Sequence, residues 1–363
     1  MPTLADLRGA LLAARRVVLT THIRPDGDAL GSEIALALYL RGQGVEAHVL
    51  NAEEEPRTLG WLLDLDGVPK DLVEVYRPGD RVHAERLATA DAIVVVDTNA
   101  EGRLGDLGKP VREALAKKVL LDHHPDPEGW FDLAVTDTTA AATGELVYDL
   151  IAGHDPALVD APIATALYTA IATDTGSFRY GATTPRTHRI VADILERGQI
   201  KPEPIHVAVY DARSPEGLRL LARALDTITL HYGGRLASMY VTQPMLRETG
   251  AFFDETEGLV QYALSLEGVV AAVILLETPS GVKASFRSKG DVPVNEWAAR
   301  FGGGGHRNAS GAYFRDRPLN RVLKEVMNSV PADVRNEPSA PSDAPEASED
   351  DIADLLARFN ARS

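Results

Sequence analysis

The chain contains no cysteine. That excludes disulfides, thiolate metal sites and cysteine nucleophiles, so any metal must be held by His, Asp or Glu, a donor set that favours hard cations. No apolar run reaches the ~18 residues that a membrane-spanning helix needs. The N-terminal stretch "MPTLADLRGALLAARR" places its acid early and its arginines late, the reverse of a secretory signal, so a cytoplasmic location without membrane association is expected. Basic charge is scarce too: 37 Lys and Arg against 53 Asp and Glu give a net charge of −16. This disfavours long nucleic acid held on a broad basic face, but not a short anionic ligand held in a local pocket.

What remains is ordinary globular material. With 363 residues, 45% of them hydrophobic, the chain is long enough for two domains. Strand-like runs "RVVLT", "VEAHVL", "AIVVVDT" and "VLLDHH" alternate with helical patterns such as "ALGSEIALALYLRGQG", the rhythm of βαβ units and a mostly parallel sheet. The Gly- and Ala-rich "ATGELVYDLIAG" and "PIATALYTAIATD" are expected to be helices packed close to that sheet. The fold class is therefore α/β: a parallel-sheet domain over residues 1–198, a linker and connecting helix over 199–228, and a smaller α/β domain over 229–330. An active-site cleft between the two domains is expected. Residues 331–363 are rich in Pro, Ser, Ala and acids and read as a disordered tail, ending in "DIADLLARFNARS", which suits one short amphipathic helix.

Acids follow three of the strands, in "VVLTTHIRPDGD", "AIVVVDTN" and "KVLLDHH". The C-terminal ends of parallel strands share one edge, so His22, Asp26, Asp28, Asp97, Asp122, His123 and His124 should converge on one crevice. Asp174 in "AIATDTGSFRY" joins them as a further candidate. Clustered carboxylates repel one another, whereas two divalent cations with imidazole donors balance them, a combination that suits Mn2+ or Mg2+ better than zinc. Each piece also has a plainer meaning. "PDGD" is a turn signal that would cap a helix starting at Ala29, Asp97 also reads as simply ending a strand, and "DHH" as surface polarity. An EF-hand is excluded, because Leu30 and Ala37 fall where oxygen ligands are needed. It is the joint occurrence at one edge that favours a two-metal site.

At this point a family can be recognised. "HIRPDGDALGS", "VVVDT", "LLDHH", "TDTGSFRY" and the distant "FGGGGHRNASG" resemble the four DHH motifs and the GGGH motif of the DHH/DHHA1 phosphoesterase superfamily, in its nanoRNase and pAp-phosphatase branch, over roughly residues 3–328. The resemblance implies that His22, Asp26 and Asp97 hold one metal and that Asp28, Asp97, His123 and Asp174 hold the other, with Asp97 bridging. It further implies that Asp122 orients the motif and that His124 contacts the scissile phosphate, as general acid or as an electrostatic contact. Mn2+ is the implied cation, with Mg2+ as the alternative, and a bridging hydroxide would attack phosphorus in line. A homodimer is the family-level expectation.

In the second domain, Gly303, Gly304 and Gly305 let backbone N–H groups approach an anion closely, and His306 adds a donor. A flexible hairpin is the commoner meaning of such a glycine run. Between Lys283 and Arg317, however, seven Lys or Arg stand against three acids. Arg287, with Ser288 beside it at the end of "VKASFRS", is the best-placed guanidinium for a phosphate. Arg103 in "EGRLGD" is a second candidate, with a local pair to Asp106 as the competing reading. Phe178, Tyr180 and Tyr313 are able to stack on a base, but aromatic residues more often fill cores, so they are not counted among the site residues.

The activity expected is hydrolysis of short 5′-phosphorylated oligoribonucleotides and of pAp. A phosphodiesterase for linear or cyclic dinucleotides such as pApA, pGpG or c-di-AMP is the main alternative. A RecJ-like exonuclease, a family II pyrophosphatase and a non-catalytic nucleotide sensor fit less well.

Overall fold

The structure, a computed structural model, describes residues 2–335. The chain divides into two compact units that meet in sequence between Ala212 and Arg213. The first contains α1 (Leu4–Ala13), β1 (Arg16–Thr20), α2 (Gly27–Gly42), β2 (Glu46–Asn51), β3 (Val73–Val75), α3 (Arg81–Thr89) and β4 (Ala92–Val96). It continues through α4 (Gly108–Glu113), β5 (Lys117–Asp122), β6 (Leu133–Thr136), α5 (Thr143–Ala152), α6 (Ala161–Asp174), α7 (Pro185–Gly198) and α8 (Pro202–Tyr210).

Its strands form one parallel sheet in the order β3-β2-β1-β4-β5-β6. Every residue of β4, "AIVVV", is buried, as expected where helices cover both faces of a parallel sheet. Val17, Leu19, Val94 and Val96 pack under α1, α2, α5 and α6, while Val18, Ile93 and Val95 face Leu87 of α3 and Val111 of α4. In this order the chain reverses its direction of travel between β1 and β4, which opens a crevice at their C-terminal ends. Thr21 stitches that point, its hydroxyl donating to the Val96 carbonyl at 2.8 Å. Small residues bring α2 and α6 together: a Cβ on Gly27 would lie 2.3 Å from Thr173 Oγ1, and one on Gly31 2.4 Å from the Ala166 carbonyl.

The second unit contains α9 (Pro215–Leu225), β7 (Thr229–His231), β8 (Leu236–Val241), α10 (Gln243–Thr249), α11 (Val260–Leu264), β9 (Ala271–Thr278) and β10 (Gly281–Ser288). After these come α12 (Asn295–Ala299), β11 (Gly304–His306), β12 (Ala309–Arg315), α13 (Leu319–Asn328) and α14 (Ala332–Arg335). The sheet order is β11-β12-β10-β9-β8-β7, antiparallel except for the parallel β8–β9 pair. One face packs on Trp297 of α12 and on Val322, Leu323 and Val326 of α13. The other packs over β8 and β9 on Leu220 and Ala224 of α9, Leu246 of α10 and Val260 and Ala263 of α11.

Two expectations change. The stretch 199–228 is not a linker with one connecting helix: Ile205 of α8 enters the core of the first unit, and Leu220 of α9 enters a core of the second. Residues 331–335 are not disordered either. Val330 and Val334 are buried in the second unit's core, and the Arg235 guanidinium donates to the carbonyls of Asp333 and Val334. The remainder of the expected tail, including "DIADLLARFNARS", lies outside the described residues. Among the described residues, no helix is long and apolar enough to cross a membrane.

Candidate active site

At the ends of β1, β4 and β5 the polar residues come together. His22 Nε2 lies 3.4 Å from Asp97 Oδ2 and 3.8 Å from Asp26 Oδ2. His123 Nε2 lies 3.5 Å from Asp97 Oδ1, 3.7 Å from Asp28 Oδ2 and 3.4 Å from Asp174 Oδ2. Asp97 is therefore common to both sets. It turns off β4 with φ 57°, a left-handed conformation that Asp tolerates better than most residues and that clusters at functional sites.

Both imidazoles are oriented through the other ring nitrogen. His22 Nδ1 donates to the Ile23 carbonyl at 2.9 Å, and His123 Nδ1 donates to the Ala140 carbonyl at 3.2 Å. In the neutral ring each Nε2 is thereby the lone-pair nitrogen facing the carboxylates, the arrangement that metal-ligating histidines adopt.

Asp26 serves two roles with two oxygens. Oδ1 caps α2, accepting from the backbone N–H groups of Asp28 and Ala29, while Oδ2 faces His22. The turn reading of "PDGD" holds, with the helix beginning at Gly27, two residues before Ala29, and the cap leaves Oδ2 free to face His22. Asp28 is fully buried. Its carboxylate accepts from Thr143 N at 2.6 Å, Gly144 N at 2.8 Å and Ser32 Oγ at 3.2 Å, the first two being orphan donors at the start of α5.

Charge in this crevice is unbalanced. Burial pushes Asp28 well above the usual carboxylate range, and the charge of Asp97 adds to the effect. Burial, with Asp97 and Asp26 nearby, pushes Asp174 up to about 7. Burial would raise Asp97 too, but the facing His123 and His22 hold it well below the usual range. Desolvation disfavours charge on the imidazoles, yet the surrounding carboxylates outweigh it, raising His22 and bringing His123 to about 11.

The residues fit cations. Two ligand atoms bound to one Mn2+- or Mg2+-sized ion lie about 3 Å apart, so separations of 3.4–3.8 Å are close to a coordination shell and long for hydrogen bonds. Ligand atoms of His22, Asp26 and Asp97, and likewise of Asp28, His123 and Asp174, all lie within 4.8 Å of one another. Beside them, His124 Nδ1 donates to Asp122 Oδ1 at 2.7 Å, while Asp122 Oδ2 is buried with no hydrogen-bond partner among the described residues. Arg103 is exposed and near enough for its charge to oppose protonation of His22. Its carbonyl accepts from Ile23 N at 2.8 Å.

In the second unit, Arg287, Ala309 and His306 pair across β10, β12 and β11, which puts their side chains on one face. The next row is Ser285, Gly311 and Gly304. This is the face that α9–α11 cover over β8 and β9, and here Arg287 and His306 remain half-exposed. Gly303 is required by packing, since a Cβ there would lie 2.1 Å from the Gly311 carbonyl. Gly304 is exposed, and a Cβ on it would meet nothing within 4 Å. Gly305 has φ +136°. Ser288 is a correction. Strand alternation turns it to the opposite face with Phe286, where its buried hydroxyl donates to the Val292 carbonyl at 2.6 Å and accepts from Asn308 Nδ2 at 2.8 Å.

Residues 16–171 match the DHH family, N-terminal domain, and residues 234–330 match the DHHA1 domain. A Thermus thermophilus protein named bifunctional oligoribonuclease and PAP phosphatase NrnA is 34% identical over 316 residues, covering 86% of this chain and 89% of that one. The chain belongs to the DHH/DHHA1 family, in its NrnA-like branch. A Bacillus subtilis protein of the same name is 28% identical, with 85% and 93% covered. The crystal structure of an exopolyphosphatase-related protein from Bacteroides fragilis matches with a TM-score of 0.81 and 28% identity, covering 89% of this chain and 94% of that one.

Within this DHH unit, several supporting residues escaped the sequence reading. The hydroxyl of Thr143 donates to Asp97 Oδ1 at 3.0 Å. Buried Glu33 accepts from Asn51 Nδ2 at 2.8 Å, and Asn51 Oδ1 in turn accepts from Thr21 N at 3.3 Å. A polar residue at a helix position that otherwise reads as core, as Glu33 does in "GSEIALAL", was the one available signal.

Proposed function

We propose that this protein is a two-metal phosphoesterase that hydrolyses short 5′-phosphorylated oligoribonucleotides to mononucleotides and pAp to AMP. The observation that carries the reading is the pair of clusters His22–Asp26–Asp97 and Asp28–His123–Asp174, with Asp97 facing the histidine of each, in a chain 34% identical to a protein named for both activities. His22, Asp26 and Asp97 would hold one cation, and Asp28, Asp97, His123 and Asp174 the other. Oxygen-rich ligation with two imidazoles and no thiolate suits Mn2+ first and Mg2+ second. Bound there, the cations would supply a nucleophilic water at neutral pH and positive charge for the phosphoryl oxygens.

The protein's own groups do the rest. Asp122 accepts from Nδ1–H of His124 and orients the ring, so Nε2 is the nitrogen turned toward a phosphoryl or leaving oxygen, and in the imidazolium form its proton would pass to that oxygen. Arg103 adds an exposed cation beside His22. Arg287, His306 and the open backbone at Gly304 would hold a terminal 5′-phosphate. If that phosphate is held while the next phosphorus along is attacked, pAp hydrolysis and removal of a 5′ nucleotide are one reaction, with a ribose 3′ oxygen leaving in both.

The test is a panel of pAp, two- to five-residue RNAs and cyclic dinucleotides with Mn2+ or Mg2+. Fastest turnover of pAp and 5′-phosphorylated RNA is expected. Preference for a cyclic dinucleotide would transfer the reading to that class, and equal rates with and without a 5′-phosphate would remove the phosphate clamp.

A further inference from the structure

Next to the candidate metal ligands, the first unit carries an exposed platform to which the reaction above assigns no role. After Asp174 the chain makes a turn in which Gly176, Ser177 and Phe178 have φ of 56°, 58° and 65°. Two of these are residues with side chains, in a conformation such residues hold only where their surroundings impose it. Phe178 is anchored inward, its ring 6.1 Å from that of Tyr168. The Ser177 N–H donates to the Ala172 carbonyl at 2.7 Å, which keeps the turn against the end of α6.

Helix α8 packs on that turn. The Tyr210 hydroxyl donates to the Ala172 carbonyl at 3.2 Å, and Ser177 Oγ lies 3.3 Å from His206 Nε2. The rings of His206 and Tyr210 stand 4.6 Å apart, one turn of α8 from each other, with 44° between their planes. Both residues are exposed, as are Val207 between them and Arg179 on the turn. A fixed pair of rings with a hydroxyl and a guanidinium beside it has the composition of a stacking platform for a nucleobase.

We propose that His206, Tyr210 and Ser177 form a subsite for the base of the second nucleotide of a short oligonucleotide, the nucleotide that keeps the scissile phosphate as its 5′-phosphate. This rests on the oligoribonuclease reading. The substrate pAp has no second nucleoside and serves as the internal reference.

The experiment compares pApA with pAp on the full-length protein, in the parent and in His206→Ala, Tyr210→Leu and His206→Phe. The ratio of kcat/KM for pApA to that for pAp is expected to fall about tenfold in the first two variants, the scale of one lost base stack. It is expected to stay near the parent value in His206→Phe, which keeps a flat ring. Calorimetric binding of the same ligands with chelator present, where no turnover occurs, should show the same change in ratio. An unchanged ratio, or equal losses on both ligands, overturns the subsite. If the parent hydrolyses neither ligand, the oligoribonuclease reading fails, and the binding ratio alone then decides the subsite.

Discussion

The hydroxyl of Thr143 donates to Oδ1 of Asp97 at 3.0 Å, joining the first turn of α5 to the end of β4. The same residue's backbone N–H donates to Asp28, so one threonine holds a candidate ligand from each set. Supporting groups of this kind typically contribute 10–100-fold in metal affinity or activity.

Thr143→Val keeps the backbone bond and removes the hydroxyl. It should weaken Mn2+ binding by roughly 10-fold or more, with Thr143→Ser restoring most of it. Asp97→Ala should go further, cutting pAp hydrolysis by at least about 100-fold, because it removes a ligand common to both cation sets. A binding isotherm for Thr143→Val that matches the parent would remove Thr143 from the site.

His124 separates two roles by the choice of leaving group. If it protonates the leaving oxygen, His124→Ala should lower kcat for pAp by about 10²–10⁴ and hardly change hydrolysis of a p-nitrophenyl nucleotide ester, whose leaving group needs no proton. Equal losses on both substrates would make His124 an electrostatic contact. Asp122→Asn should follow His124→Ala with a smaller loss.

Adjacent glycines should respond differently. Gly303→Ala drives a methyl into the Gly311 carbonyl and is expected to cost about 1–3 kcal/mol of stability, as overpacking does. Gly304→Ala meets nothing within 4 Å, so its melting temperature should match the parent's while its preference for 5′-phosphorylated RNA declines. Parent-like preference in Gly304→Ala would show that the glycine serves no ligand.

Glu33 gives the metal-free protein a pH signature. Burial, opposed by the hydrogen bond from Asn51, raises its carboxyl from 4.5 to about 8. The folded state therefore keeps a proton that the unfolded state releases, so stability falls as pH rises from 4.5 through 8. Urea melts of chelator-treated protein should show Glu33→Gln with a flatter pH dependence, by up to about 1.4 kcal/mol per pH unit. Parallel slopes for variant and parent would mean that Glu33 ionises normally.

The sequence was most informative where physics ties residue type to position. Apolar β-branched runs ending in His and Asp located β1, β4 and β5, and the shared edge of a parallel sheet brought their acids together without any coordinates. The short strands β3 and β6 escaped because three and four residues, on edges and incompletely buried, carry too little pattern to stand out. The segment between the units read as a linker because its prolines sit at the starts of α8 and α9, where Pro opens a helix rather than breaking one. The face of Ser288 was within reach: Val282, Ala284, Phe286 and Ser288 share one parity along β10, and counting by two separates Ser288 from Arg287. Bonds such as Thr143 to Asp97, 46 residues apart, leave no local trace.

Gly27 and Thr173, which meet with no room for a Cβ, are the immediate neighbours of Asp28 and Asp174. The contact between α2 and α6 thus ties the position of one carboxylate to that of the other, with the Cα of Gly27 resting directly on the Thr173 side chain. A methyl on residue 27 would press on Thr173 and shift one of these carboxylates relative to the other, so Gly27→Ala is expected to change the fit of any cation held between them.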